Sequence, residues 1–569
     1  MAFIYILHYN VYMFPFNLKK RSFFVLGVIL IAGCLSSTDV KKQETVSVQT
    51  EEGYAEMRPH IRDRDELTVV FSKTDVELDF RKSYMASEAQ LYTAIYEGLF
   101  SYHPVNLSPV PAAAEKWELS DDKKQWTFTI RQNARFWNGD LLRSEDFRAA
   151  WISLLEPRRE SPYSSLFDVI EGAYEYRTGL EKNPDKIGIE TPDSKTLIVK
   201  LNYPASYFLA MLCHHSFSPI HPSMLNKILW SPGEVPSRWS PPVSNGPFRI
   251  DSMNDDKIVL IKSDNYWDSQ YVPLNKITIK YTETAGEASQ LWNSGEGRWI
   301  AGDVDLEALT DRSGIQRNAM FATHYYFIRC ADKPWNDKRV RRAMVLVLPW
   351  DEIRSGYSLP AETLIFPLDE KYPKVSGIET DHEEAEKLMA EAGYAGGKGT
   401  PELVIRLTPS LEAARLGSLM ANTWKEKLGL NVRVEVIPYN RYFQSMKEGG
   451  YTIGSSTWIG DFADPYTFLQ MWRKDSNLND AWHEDSDYEA LIEKSMFEEG
   501  DERLATLADA EKLLLDRGVV LPIAYSPAQN IVDHRGELGG WYLNALDIHP
   551  FKYLFFKAYR PLPWVVMTK

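Results

Sequence analysis

Apolar and polar residues alternate along much of the chain after residue 66, with the two-residue period of half-buried β-strands. The clearest runs are 67–71, 126–130, 196–201 and, less strictly, 258–261. Other segments place their apolar residues at the spacing of an amphipathic helix, namely 383–392, 411–428 and 501–516. This mixture of strands and helices predicts α/β lobes.

One stretch predicts a complete strand–helix–strand unit. Runs at 403–407 and 432–437 bracket the helix at 411–428, and Gly429 stands just after that helix, where a glycine C-cap is common. Two strands joined by a helix in this way are typical of a right-handed crossover between parallel strands.

The N-terminal region has the pattern of a secretion signal. Residues 19–21 are basic and precede an uncharged apolar run at 22–32, which is too short to cross a bilayer comfortably as a mature helix. The run ends Ile31-Ala32-Gly33-Cys34, which resembles the bacterial lipobox, whose cysteine is lipidated and becomes the first mature residue. We therefore expect residues 1–33 to be a lipoprotein signal peptide and Cys34 to be the lipidation site. The alternative is a buried cysteine after an apolar segment.

A polar segment follows and continues to residue 57 without a core pattern, so 34–57 is predicted to be a flexible tether. No later stretch approaches 18 apolar residues, and we expect nothing else to span the membrane. The folded part of the chain is therefore expected to be attached to a membrane surface through the tether.

Composition narrows the class of protein. The chain has 569 residues, with 79 acidic and 64 basic side chains and a net charge of −15. This acidic balance argues against nucleic acid as a partner, because a phosphate footprint needs clustered lysine and arginine. Aromatic residues make up 13% of the chain, a share that suits either a large ligand pocket or an aromatic-rich core.

The motifs of several enzyme classes are absent or incomplete. The sequence contains no Gly-x-Ser-x-Gly, and the glycine-rich stretch at 393–400 has the wrong spacing for a phosphate loop. Cys213-His214-His215 is the only Cys/His cluster, and adjacent side chains point in different directions, so a structural role is favoured over a metal site. Cys213 and Cys330 are predicted to remain unbridged.

Short blocks follow one another in a particular order between about Leu67 and Lys552. They are AIYEGLF from Ala94, PAAAEKWELS from Pro111, WTFTIR from Trp126, FWNGD from Phe136, SEDF from Ser144, SNGPF from Ser244, NYW from Asn265, PWNDKRVRRA from Pro334, EAGY from Glu391 and WIGDFADP from Trp458. This order resembles the oligopeptide/dipeptide solute-binding proteins of bacterial ABC importers, known as extracellular solute-binding protein family 5. Most blocks also have a structural interpretation; Ser144 and Asp337, for example, are candidate helix N-caps.

The resemblance implies an α/β, two-lobed periplasmic-binding-protein-like fold, class II and type C, with an extra inserted subdomain. Lobe I would comprise 58–100, 201–320 and 530–569. The inserted subdomain would be 101–200, and lobe II, which anchors the ligand, would be 321–529.

Asp461 is the candidate binding residue with a physical argument of its own. It lies among apolar or small residues with few lysines or arginines nearby, and a carboxylate there is costly unless a cation visits it. The resemblance implies that Asp461 binds the α-ammonium of a peptide while the neighbouring backbone, which includes Ile459, pairs with the peptide as an added strand. The alternative is that Asp461 caps the loop before Asp464.

Other site residues rest on the resemblance alone. Trp458 and Tyr163 would be pocket walls, and Tyr439 occupies a further position where the family places an aromatic residue. The segment from Tyr84 to Ala86 would supply the opposing backbone edge.

The chain also departs from the family pattern. Where oligopeptide binders place arginines around the far end of the ligand, the motif match gives Met446 and Ser455. We therefore expect no strong clamp for the ligand carboxylate, unless another basic residue such as Arg329 has taken over that role.

The sequence thus predicts a lipid-anchored binding protein, not an enzyme, that captures short peptides and delivers them to the transmembrane subunits of an ABC permease. It is expected to be a monomer without cofactor or metal, in the periplasm or at the cell surface. The rivals are a secreted hydrolase acting on peptides or glycans, a binder of another solute such as an oligosaccharide or a nickel complex, and a peptide sensor without an importer.

Overall fold

The computed structural model describes residues 65–74, 76–226, 241–368, 370–534 and 538–557. The predicted signal peptide, Cys34 and the predicted tether therefore lie outside the described residues. None of the described helices is long and apolar enough to cross a membrane.

Eighteen strands are described, and six of them lie at or near the runs predicted from the sequence, namely β1, β5, β7, β9, β13 and β14 in the list that follows. They are β1 (Glu66–Ser72), β2 (Phe100–Tyr102), β3 (Pro109–Pro111), β4 (Ala114–Leu119), β5 (Gln125–Ile130), β6 (Ile189–Asp193), β7 (Thr196–Lys200), β8 (Phe248–Asn254), β9 (Lys257–Lys262), β10 (Lys276–Thr282), β11 (Trp299–Ile300), β12 (Ile315–Ile328), β13 (Leu403–Leu407), β14 (Val432–Val436), β15 (Ile453–Ile459), β16 (Val520–Val532), β17 (Leu538–Gly539) and β18 (Phe555–Phe556).

The α-helices of the described residues stand mostly between these strands. They are α1 (Ala86–Ile95), α2 (Ser144–Leu155), α3 (Ala173–Arg177), α4 (Phe208–Met211), α5 (Ala285–Asn293), α6 (Lys338–Leu346), α7 (Trp350–Arg354), α8 (His382–Glu391), α9 (Leu411–Leu428), α10 (Tyr439–Glu448), α11 (Tyr466–Leu469), α12 (Ser486–Ser495) and α13 (Gly500–Asp516).

The predicted strand–helix–strand unit is confirmed. Helix α9 has the predicted bounds, and Gly429 ends it with a φ of 69°, a left-handed conformation that glycine adopts without steric cost. Strands β13 and β14 pair in parallel along their whole length. The unit forms one end of a ten-stranded sheet.

That sheet organises the molecule. Its strand order is β14-β13-β15-β12-β16-β11-β1-β10-β9-β8, with the two longest strands, β12 and β16, at the centre. Their register shifts between Ala319 and Thr323, so the pairing between them is interrupted there. A separate antiparallel sheet, β4-β5-β7-β6, lies within residues 114–200.

Three local predictions can be compared with the structure. Asp337 is the N-cap of α6, as predicted, and accepts a hydrogen bond from the Arg339 amide. The prediction for Ser144 is wrong by one residue: Arg143 is the N-cap of α2, and the Asp146 side chain accepts a hydrogen bond from the Arg143 amide. Cys213 and Cys330 are free thiols.

Candidate functional site

A cavity of about 510 Å³ is lined by residues from several separate parts of the chain, between Phe71 and Ile548. Six of the residues predicted from sequence line it: Tyr84, Ala86, Tyr163, Trp458, Ile459 and Asp461. Tyr439 begins α10, and its side chain lies outside the described residues. The structure thus brings together side chains that are almost 380 positions apart in the sequence.

One wall of the cavity is strand β15 and the turn after it. On one side β15 pairs with β12, whereas on the other it pairs with β13 only at Ile453. Residues 455–461 line the cavity beyond that point. Gly460 is required here, because a Cβ at this position would stand 2.4 Å from the ring of Phe321. The end of β15 thus packs closely against β12, and Asp461 follows it in the cavity wall.

Asp461 is buried, with 7% of its surface exposed. Its amide donates to Thr467 Oγ1 at 2.8 Å, and the same hydroxyl donates to Asp461 Oδ2 at 3.0 Å. The Tyr102 hydroxyl donates to the Asp461 carbonyl oxygen at 2.9 Å. Among the described residues, no lysine or arginine forms an ion pair with this carboxylate.

The electrostatic surroundings of Asp461 disfavour its charge. Burial raises the pKa of Asp461 to about 7, although the hydroxyls of Thr467 and Tyr163 favour the ionised form. His214 Nε2 lies 3.7 Å from Asp461 Oδ1. Burial, with a smaller contribution from His215, lowers the pKa of His214 well below its ordinary value, so His214 is neutral at pH 7. The carboxylate is thus desolvated and has only neutral partners among the described residues.

Aromatic side chains form much of the remaining wall. The ring of Tyr163 contacts His214 edge-on, with 4.5 Å between centroids, and lies 6.4 Å from Trp458. Tyr84, before α1, contacts Phe443 of α10 with centroids 6.0 Å apart. Such rings give a ligand a broad apolar surface with little side-chain discrimination.

The predicted opposing edge is not a strand. Tyr84 and Ala86 line the cavity, but Ala86 is the first residue of helix α1, and Met85 is its N-cap. The Glu88 and Ala89 amides both donate to the Met85 carbonyl group, so local helical bonds occupy it. The Met85 carbonyl is thus occupied, and the role of Tyr84 to Ala86 as a backbone edge remains a prediction.

The basic group at the far end of the cavity is not one that the sequence analysis named. Met446 is buried and does not line the cavity, whereas its neighbour Lys447 does. Lys447 is the only lysine or arginine among the described cavity residues. Its Nζ donates to Asp480 Oδ1 at 2.6 Å and to the Asn477 carbonyl at 2.9 Å, and its side chain is mostly exposed.

Other cavity residues were also missed by sequence reasoning. His214, His215 and Tyr442 line the cavity, although the histidine pair was interpreted as structural. No group of three potential metal ligands occurs among the residues that the structure describes. A local sequence signal for these positions is lacking, because the histidine pair and Tyr442 come from two distant parts of the chain.

Comparison with known proteins places the chain in a family. A family model for the bacterial extracellular solute-binding proteins, family 5 middle region, matches residues 108–480, more than half of the chain. The chain belongs to family 5 of the bacterial extracellular solute-binding proteins. This is a family of binding proteins.

The family 5 protein has curated relatives in several bacteria. It is 28% identical to the oligopeptide-binding protein OppA of Bacillus subtilis over 438 residues, which are 73% of this chain and 79% of that protein. It is also 28% identical to the periplasmic oligopeptide-binding protein OppA of Salmonella typhimurium over 479 residues, covering 79% and 84% of the two chains.

A solved structure supports the fold. The crystal structure of the oligopeptide ABC transporter protein OppAIV from Borrelia burgdorferi matches with a TM-score of 0.75 and 25% identity, covering 87% of this chain and all of that one. The predicted α/β, two-lobed periplasmic-binding-protein-like fold is confirmed. The limits of the lobes, 58–100 with 201–320 and 530–569, 101–200, and 321–529, remain a prediction.

Proposed function

We propose that this family 5 protein captures short peptides in the cavity between its lobes and delivers them to an ABC permease. The observation that carries the proposal is Asp461, a buried carboxylate without a cationic partner among the described residues, beside an open strand edge. The two curated relatives described above are named as oligopeptide-binding proteins, which supports the same choice.

A peptide α-ammonium is the cation that fits this site. A buried carboxylate is costly until an opposite charge pairs with it, and truncating one partner of such a pair costs about 2–5 kcal/mol. The hydroxyl of Thr467 already binds one carboxylate oxygen, so the carboxylate is held in place before the ligand arrives. A neutral solute would leave this charge unmatched.

The open edge of β15 supplies the second element of recognition. Backbone groups there can pair with the main chain of any peptide, and aromatic walls accept varied side chains. Binding would therefore depend on the peptide backbone and the free amine more than on sequence.

The test is calorimetry with one tripeptide in free and N-acetylated forms. For the natural protein, acetylation should weaken binding by about 30- to 5,000-fold, since it removes the ammonium charge. Asp461→Asn should lose a similar factor for the free tripeptide and respond little to acetylation.

Asp480→Asn is the matched control, because it removes another cavity carboxylate that already has Lys447 as a partner. We expect this change to alter affinity by less than about threefold, as for a solvated pair. Equal losses in the two variants, or an acetylated tripeptide that binds as well as the free one, would contradict the proposal.

The hydrolase rival makes a different prediction for the ligand. We expect peptide incubated with the protein to be recovered chemically unchanged, and cleavage products would favour the rival. Native mass spectrometry of the co-purified ligand would reveal an oligosaccharide or a nickel complex if the solute is not a peptide.

We also propose that Cys34 carries the lipid anchor and that the protein acts in the periplasm or at the cell surface. Cys34→Ser should move the protein from membranes to the soluble export fraction, because the polar tether has little membrane affinity of its own. A variant that stayed with membranes would rule out this anchor.

A further inference from the structure

The open edge of β15 is not open along its whole length. The Gly460 amide donates to the Phe321 carbonyl of the β12 chain at 2.8 Å. In an antiparallel pair, the backbone groups of successive residues point alternately towards and away from the partner strand. Ser456 and Trp458 therefore face β12 as Gly460 does, whereas Ser455, Thr457 and Ile459 direct their N–H and C=O groups to the other side.

Tyr442 occupies the first of these three positions. The Ser455 amide donates a hydrogen bond to the Tyr442 hydroxyl at 2.9 Å. The same hydroxyl can donate to the Ser455 carbonyl oxygen, which lies 3.0 Å away. Both main-chain groups of Ser455 thus lie within hydrogen-bond distance of one hydroxyl, whose single proton is also within reach of the Arg406 carbonyl oxygen at 3.3 Å. A ligand strand could pair with Thr457 and Ile459, but at Ser455 it would meet a phenol.

The phenol is fixed in this position. Tyr442 is 1% exposed, and burial raises its pKa, so the neutral hydroxyl can accept one hydrogen bond and donate another. Arg406 of β13 holds the end of α10 by donating to the Ser445 and Gly449 carbonyl oxygens. Displacing Tyr442 would leave two buried backbone groups unpaired, which is costly.

We propose that Tyr442 sets the length of peptide backbone that this protein can bind as a strand. The inference rests on the proposed function, because it needs a peptide whose amine lies at Asp461. A peptide bound in this way runs antiparallel to β15. Its backbone can form one hydrogen-bonded pair with Ile459 and, two ligand residues further on, another with Thr457, so the two pairs span three successive ligand residues. Backbone pairing therefore ends at the third or fourth residue of the peptide.

A series of alanine peptides tests this limit in the unmodified protein. The peptides have free amines and amidated C-termini and contain two to six residues, so that length alone changes, and affinity is measured by calorimetry. We expect affinity to rise up to the tripeptide or tetrapeptide and then to change by less than about threefold in total from tetrapeptide to hexapeptide. A rise of about tenfold or more from tetrapeptide to hexapeptide, the effect of another hydrogen-bonded pair, would overturn the limit.

Two variants locate the limit at Tyr442. Tyr442→Ala clears the edge at Ser455 and should extend the rise in affinity to the hexapeptide, by about tenfold over the tetrapeptide. Tyr442→Phe removes the hydroxyl but leaves the ring in the way, and it should keep the natural length profile.

An unchanged profile in a folded Tyr442→Ala protein would refute the assignment to this residue. If that variant does not fold, the series with the natural protein still decides whether the limit exists. A natural protein that binds none of the peptides would instead refute the proposed function, and the length limit with it.

Discussion

Asp461 and Asp464 stand three residues apart after β15, yet the protein surrounds their carboxylates in different ways. Asp464 receives both terminal nitrogens of Arg503, at 2.8 and 2.9 Å, and its Oδ1 also accepts the Tyr466 amide. Asp461 has hydroxyls and a neutral histidine instead. The fold completes one ion pair internally and leaves the other carboxylate next to a cavity.

The difference teaches how a binding residue is distinguished from a structural one. A buried carboxylate that is paired inside the fold has its charge compensated, and removing one partner of the pair is costly because it leaves the other charge buried alone. An unmatched buried carboxylate destabilises the protein without ligand, and a cation that binds next to it removes this cost. The two aspartates should therefore respond oppositely when either is replaced by the isosteric asparagine.

The largest effect should follow Asp464→Asn. Arg503, whose side chain is 7% exposed, would lose its only ionic partner among the described residues. We expect the free energy of unfolding to fall by about 3–5 kcal/mol in urea denaturation. Peptide affinity of the folded variant should change by less than about threefold. A loss of stability below about 1 kcal/mol would show that the comparison is wrong on the structural side.

The second largest effect concerns the pH dependence of stability, which the raised pKa of Asp461 should change. Its pKa of about 7 in the folded protein is above the unfolded value of about 3.9, so the folded state binds the extra proton between these values. Stability should therefore rise as pH falls from 7 towards 4, by up to about 1.4 kcal/mol per pH unit. Asp461→Asn should be the more stable protein at pH 8, with an advantage that shrinks below pH 7. Parallel stability curves for the two proteins would contradict the raised pKa.

Peptide binding should depend on pH in the opposite sense. An ammonium needs the ionised carboxylate, so affinity for a free tripeptide should fall by up to about tenfold per unit below pH 7. The N-acetylated tripeptide, which carries no ammonium, should show a flat profile in the same calorimetric titrations. A fall of equal slope for both peptides would point to a titrating group other than Asp461.

The smallest effect is expected at the far end of the ligand. Lys447 is mostly exposed and already paired with Asp480, so a ligand carboxylate there would gain about 1 kcal/mol at most. Amidation of a tripeptide should thus cost less than about fivefold in affinity. If amidation costs as much as acetylation, a carboxylate clamp exists and the two ends of the cavity are alike.

Asp461 could be predicted from sequence because the signal is local. Its neighbours are apolar or small, and few cations occur nearby in the chain. The strand–helix–strand unit was predictable for the same reason, since the spacing of its apolar residues and its C-cap glycine both occur within one continuous segment of the sequence. Even so, local reasoning missed the cap of α2 by one residue, because the Asp146 side chain bonds to the amide of Arg143.

The far end of the cavity shows where such reasoning stops. Met446 and Lys447 are neighbours, but successive residues of a helix point about 100° apart, so a shift of one position separates a buried side chain from a cavity-lining one. The contact between Tyr442 and Ser455 joins a helix to a strand edge, and no pattern within either segment indicates it. Tertiary packing decides both.

The β12–β16 pairing is interrupted between Ala319 and Thr323, near the centre of the ten-stranded sheet. Phe321, inside this interval, donates its amide to the Ala545 carbonyl oxygen and not to β16. Because no direct β12–β16 pairing spans the interval, the two ends of the ten-stranded sheet can twist about it without rupturing a ladder. We therefore expect any opening and closing of the two lobes to bend the sheet at this interval, so that the residence time of a ligand depends on the contacts around the cavity and not on breaking strand pairing.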